Sequence, residues 1–221
     1  AEAGSFRAGA AAVDVSPRDL SPERPAIIAG GFLEARADRV HDPLLVRAIV
    51  LDDGGGEEGR EPVRLALVVV DSCMMPRSLL DEAKRLASAR TGIPPERMMI
   101  SATHTHSAPA SMGCLGTRVD APYAAWLPGR IAECIAAANG RLEPAAIGTG
   151  AVEDWSHTHN RRWVRRPETR VVDPFGNPTG LAHMHPGHLS KEVIGPSGPV
   201  DPWLSVVSVR SASGRPSGRR P

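Results

Sequence analysis

Two histidines, His104 and His106, stand two residues apart in the run Met99-Ile100-Ser101-Ala102-Thr103-His104-Thr105-His106-Ser107-Ala108-Pro109. Imidazole is the commonest protein ligand for metals, and zinc takes nitrogen donors readily. On extended backbone such a pair projects to one side, because strand side chains alternate in direction. An apolar lead-in ending in this pair reads as one edge of a metal-assisted site. The competing reading is a pair of hydrogen-bonded histidines closing a strand end. Ser107 has no Gly-x-Ser-x-Gly setting, so serine-hydrolase chemistry finds no support.

Other residues of reactive type are less clearly placed. His157 and His159 precede Asn160-Arg161-Arg162, and His183, His185 and His188 share a Pro/Gly-bounded loop. For both groups the plain reading is solvated loop histidines, and the sharper one is compensating or adventitious metal binding. Asp71 ends an apolar strand, where α/β proteins place functional carboxylates, and strand-end capping competes equally. His41-Asp42 reads as loop ordering ahead of a strand. Arg161, Arg162, Arg165 and Arg166 surround a single aromatic, Trp163. That is too few rings for a stacking platform on nucleic acid, and solvated arginines are the reading.

These residues must be positioned by regular elements. Strands are expected over 6–15, 44–52, 63–70, 97–103, 145–153 and 203–210. The run VRLALVVV is continuously apolar, as in a central buried strand. Over 77–91, Leu79, Leu80, Ala83, Leu86 and Ala87 recur at helical spacing, with Gly92 as C-terminal cap and Pro94-Pro95 preventing continuation. A second helix is expected over 121–138, ended by Asn139-Gly140. The alternation implies an α/β fold, a mixed and largely buried sheet with flanking helices, in a single partial domain spanning 1–221. Ser211 to Pro216 read as a hairpin turn whose returning strand does not follow, the mark of a truncated domain.

Composition narrows the function. The chain has 221 residues and a formal net charge of +1, so no global field favours nucleic acid or an anionic membrane. Cys73, Cys114 and Cys134 lack CxxC spacing, which argues against a disulfide framework and leaves room for one bridge. No apolar run is long enough to cross a bilayer. The chain opens Ala1-Glu2-Ala3 without methionine, so it is either processed or an excerpt, and a removed secretory signal with a secreted or periplasmic location would fit the first.

Taken in order, several pieces resemble the neutral/alkaline (non-lysosomal) ceramidase family. They are Ala8-Gly9-Ala10 with Val13-Asp14-Val15-Ser16-Pro17, Gly30-Gly31, His41-Asp42-Pro43-Leu44, and Leu51-Asp52-Asp53-Gly54. Val68-Val69-Val70-Asp71, Ile93-Pro94-Pro95-Glu96, the ATHTHS run, Asn160-Arg161-Arg162 and Gly198-Pro199-Val200-Asp201-Pro202 complete the set. The resemblance covers essentially the whole chain and implies the N-terminal catalytic domain of a zinc amidohydrolase that cleaves N-acyl sphingosine. It assigns His104 to the zinc, His106 to the substrate pocket and Arg161 to the active site. It implies a small-molecule or lipid amide substrate, no nucleic acid, and membrane contact only through that substrate.

The family's further zinc ligands, a histidine, a glutamate and a tyrosine, lie beyond the strand at 203–210. Ala108-Pro109 also replaces its usual Gly-Pro. Catalytic zinc normally takes three protein ligands and a water, so a lone His104 implies weak or absent zinc. A catalytically incomplete remnant, or a site completed in trans or by the histidines at 157–188, are the alternatives.

Overall fold

A computed structural model describes residues 6–55, 60–114, 116–212 and 214. Its strands are β1 (Arg7–Asp14), β2 (Ala26–Ile28), β3 (Ala35–Ala37), β4 (Leu45–Asp52), β5 (Arg64–Val70), β6 (Met98–Ala102), β7 (Glu143–Glu153), β8 (Arg162–Arg165), β9 (Ala182–Met184), β10 (Val193–Pro196) and β11 (Trp203–Ser211). The helices are α1 (Arg77–Thr91) and α2 (Ala121–Asn139). Internal contacts separate two compact units, residues 1–147 with 209–221, and residues 148–208.

The principal sheet has the order β11-β7-β1-β4-β5-β6. The β1–β4 and β4–β5 pairs are antiparallel, whereas β5 and β6 are parallel and joined through α1. This is the mixed sheet with flanking helices that the alternating pattern implies. α1 follows the predicted span and ends at Gly92, whose φ of 74° is the left-handed cap. It buries Leu79, Ala83 and Ala87. α2 buries Leu127, Ile131 and Ile135 completely, each contributing about 1.5–3 kcal/mol by leaving water.

Both helices cover the face formed by Val46, Ala48 and Val50 of β4 and Ala66, Val68 and Val70 of β5. The apolar run of β5 predicts burial on both faces, and here the structure differs. Leu65, Leu67 and Val69 alternate outward and stay 37–44% exposed. Leu65 is in register with Leu51, and Leu67 with Ile49 and Met99, so that end of the face is open and apolar, while Val69 stands between Arg47 and Ser101.

At one end of the sheet Asp52 is fully buried and accepts hydrogen bonds from Arg7 and Arg64, its neighbours across β1 and β5. The second unit contains the three-stranded sheet β10-β8-β9. Its strands are three or four residues long, too short to show a period in the sequence. The turn read over 211–216 falls largely outside the described residues. Among the described residues no disulfide forms, and no helix is long and apolar enough to cross a membrane.

Candidate metal centre

The parallel β5–α1–β6 unit delivers the carboxyl ends of two adjacent strands to one edge of the sheet. Asp71, Ser72 and Cys73 follow β5, and the histidine pair follows β6. Loops at such strand ends are where open α/β sheets bind ligands.

The pair meets by a different route from the one its spacing suggests. β6 stops at Ala102, and His104 adopts φ 61°, a left-handed conformation uncommon outside glycine. Strand alternation therefore does not align the rings; the turn does. The imidazoles stand edge to face, with centroids 4.8 Å apart and planes at 82°. Their Nε2 atoms are 3.3 Å apart.

Nδ1 of His104 lies 2.8 Å from the carbonyl oxygen of Cys73. A carbonyl only accepts, so Nδ1 carries the hydrogen and Nε2 presents its lone pair. The Cys73 thiol lies 3.8 Å from the same Nδ1. Burial, followed by the nearby Cys114 thiol, pushes its pKa up and keeps it protonated. Cys73, His104 and His106 are the group of ligating side chains close enough to hold an ion among the described residues. Their donor chemistry, two imidazoles and a thiol, suits zinc.

Packing fixes this arrangement from behind. The Ser111 hydroxyl donates to the carbonyl of Met74 and lies 3.2 Å from the Ser72 hydroxyl. Segment 27–29 pairs with 108–110 through Ala29 N–H to Ala108 and Ala110 N–H to Ile27. Gly30, at φ 111°, lies against the His106 ring, where a Cβ would stand 2.4 Å from Cγ. The Asp120 carboxylate caps α2 through the Tyr123 N–H and also accepts from the N–H of Ile27.

His106 opens onto a cavity of about 730 Å3, walled by Leu20, Ile28, Val40 and Leu44 with Asp71 and His41 among its polar groups. Asp71 accepts from the Leu45 N–H and from Arg47, so it clamps the start of β4 while lining that cavity. His104 and Cys73 line a separate cavity of about 370 Å3 with Met74, Leu80 and Met112.

Arg161 belongs to the second unit, where its guanidinium donates to His185. His157 pairs with Asp154 and His183 with Glu192. His41 pairs with Asp42 in an exposed loop. Sequence reasoning missed Cys73 and the role of Gly30. Cys73 carried no spacing signal, and Gly30 appeared only as one of two matching glycines.

Comparison with solved structures shows the same fold in neutral ceramidase from Pseudomonas aeruginosa, with TM-score 0.66 and 21% identity, covering 96% of this chain. The chain has a ceramidase-like fold. A ceramidase complexed with C2 matches it similarly, with TM-score 0.63 and 20% identity over 96% of the chain. The ceramidase-like chain spans 30% of the length of each. Neither a protein-family model nor a curated protein matches it.

Proposed function

We propose that the chain carries a metal-assisted hydrolase site acting on an amide, with N-acyl sphingosine or a related lipid amide as substrate. The observation that best supports this reading is the pair of imidazole nitrogens 3.3 Å apart beside a cavity of about 730 Å3. The ceramidase-like fold adds to it.

In this reading His104 holds zinc through Nε2, because its Nδ1–H is committed to the Cys73 carbonyl. A zinc ion there supplies a water acidified toward neutrality and a Lewis acid for the amide carbonyl. His106 faces the cavity, where Leu20, Ile28, Val40 and Leu44 shelter an apolar chain from water. The resemblance alone assigns Arg161 to the active site, where its role would be to position substrate or to stabilise developing charge. Membrane contact only through the substrate, and a secreted or periplasmic location, belong to the same proposal.

A second reading, the fold retained without activity, is favoured by the Cys73 thiol lying at Nδ1 of His104, which leaves two imidazoles facing each other at the candidate centre among the described residues where catalytic zinc normally has three protein ligands and a water. The test measures zinc bound by the purified chain and release of fatty acid from a short-chain fluorescent N-acyl sphingosine, each with a His104→Ala control. Stoichiometric zinc and zinc-dependent hydrolysis, both lost in the variant, are expected. A chain that binds no zinc overturns the hydrolase reading. Zinc without hydrolysis selects the inactive one.

A further inference from the structure

From the hairpin between β2 and β3 we infer a membrane contact made by the chain itself. Phe32 and Leu33 form a tip that enters the interfacial layer of an anionic lipid surface, with Arg36, Arg39 and Arg118 against its headgroups. This goes beyond the hydrolase reading, which brings the chain to a membrane through its substrate alone, and it holds for a surface that contains no lipid amide.

Phe32 and Leu33 are 80% and 83% exposed, adjacent in the turn that joins Ile28 to Ala35. The main chain beneath them is anchored. The Glu34 carboxylate takes two hydrogen bonds from Arg118, at 2.8 and 2.9 Å, and one from Arg36 at 2.8 Å. Gly116 packs so closely that a Cβ there would stand 2.7 Å from the Phe32 carbonyl oxygen. A fixed backbone thus holds two large apolar side chains out in water. Little ordering remains to be done when they bind, which lowers the entropic cost of insertion.

The surroundings of the tip select lipid over a folded partner. A stable protein interface buries about 800 Å2 on each side, far more than two side chains offer. Charged residues, not further apolar surface, follow the tip in Glu34, Arg36, Asp38 and Arg39. A lipid interface accepts such a point, apolar side chains at the headgroup boundary with cations beside them on the phosphates. Arg36, Arg39 and Arg118 stand against Glu34 and Asp38, a local excess of positive charge. Arg36 and Arg118 are tied to Glu34, whereas Arg39 makes no ion pair among the described residues. The net charge of +1 supplies no long-range attraction, so apolar insertion must carry the binding and the arginines add to it. The same hairpin walls the cavity beside His106 through Ala26, Ile28, Ala35 and Arg36, so a tip seated in lipid brings that cavity to the membrane surface.

The test sediments the whole chain with phosphatidylcholine vesicles, with and without phosphatidylserine, none of them containing a lipid amide. Binding is expected to be stronger where phosphatidylserine is present. Phe32→Ser and Leu33→Ser should each weaken it by about 10-fold, and together by about 100-fold. Arg39→Gln should weaken it by about 5-fold at low salt and less at high salt. Both apolar positions are exposed, so the serine variants should melt as the unaltered chain does. Phe32→Trp gives a second measurement, since its indole should be quenched by brominated lipid beyond any quenching of the four native tryptophans. No binding by the unaltered chain, equal binding with and without phosphatidylserine, undiminished binding in the double variant, or an unquenched indole overturns the inference. So does a dimer in sedimentation equilibrium that the double variant abolishes, which gives the tip to a second copy. Because the vesicles hold no amide, these outcomes are read apart from zinc binding and hydrolysis.

Discussion

Gly30→Ala separates a packing role for this residue from simple backbone strain. The new methyl would stand 2.4 Å from Cγ of His106, 2.6 Å from its Cβ and 2.8 Å from its Cδ2. Carbon atoms pack best at about 3.5–4.0 Å, so the ring or the segment must yield by about 1 Å. That displacement is enough to break the contact between the two Nε2 atoms. The φ of 111° adds about 1–3 kcal/mol of backbone strain for an L-residue. Gly92 provides the control, since it has φ 74° and a methyl added there would meet no atom within 4 Å. Gly92→Ala should therefore cost about 1–2 kcal/mol from conformation alone. Gly30→Ala should cost about 2–4 kcal/mol, strain and overpacking together. At about 2–4 °C per kcal/mol for a chain of this size, it should melt about 4–16 °C lower than the unaltered chain. Thermal denaturation followed by circular dichroism gives the first readout, and histidine-ring 15N spectra give the second. If Gly30→Ala melts no lower than Gly92→Ala and its His106 resonances are unmoved, the packing argument is wrong.

Two further outcomes are expected. The Asp52 carboxyl is pushed up by burial, but hydrogen bonds from Arg64, Gly54 and Arg7 outweigh this and hold its pKa below the ordinary 3.8. Its stabilisation is complete above that value and lost as pH falls through the depressed one, so Asp52→Ala, costing about 2–3 kcal/mol at neutral pH, should flatten the acid limb in urea melts. A parallel shift of the whole profile, with the acid limb unchanged, would count against this. Tyr123 donates its buried hydroxyl to the Val15 carbonyl at 3.0 Å, and Tyr123→Phe should cost about 1–3 kcal/mol by leaving that oxygen unpaired. Equal denaturation midpoints for the two proteins would refute it.

Local chemistry makes much of the fold legible in the sequence. Leu79, Ala83 and Ala87 at helical spacing and Gly92 at the cap set α1, because both signals act within one or two turns. The βαβ order and the alternation of β4 do the same for the sheet. The one-sided burial of β5 is hidden, since Leu65, Leu67 and Val69 are as apolar as the residues beneath the helices. The histidine pair is legible by residue type, but its geometry is not. It depends on the left-handed backbone of His104, a main-chain oxygen 31 residues away at Cys73, and the space left by Gly30. These are contacts between segments distant in sequence, which no spacing rule reports. The strands of the second unit escape notice for want of length.

The two-handed hold of Asp120 has a consequence for how the protein comes apart. One oxygen of the carboxylate secures the first turn of α2, and the other secures the N–H of Ile27, three residues before the glycine behind His106. Fraying of the helix therefore slackens the wall of the histidine site, and disorder there in turn uncaps the helix. Amide exchange at Tyr123 and Ile27 should proceed at matched rates, and both should slow together when the site is occupied. Asp120→Ala should uncouple the two amides.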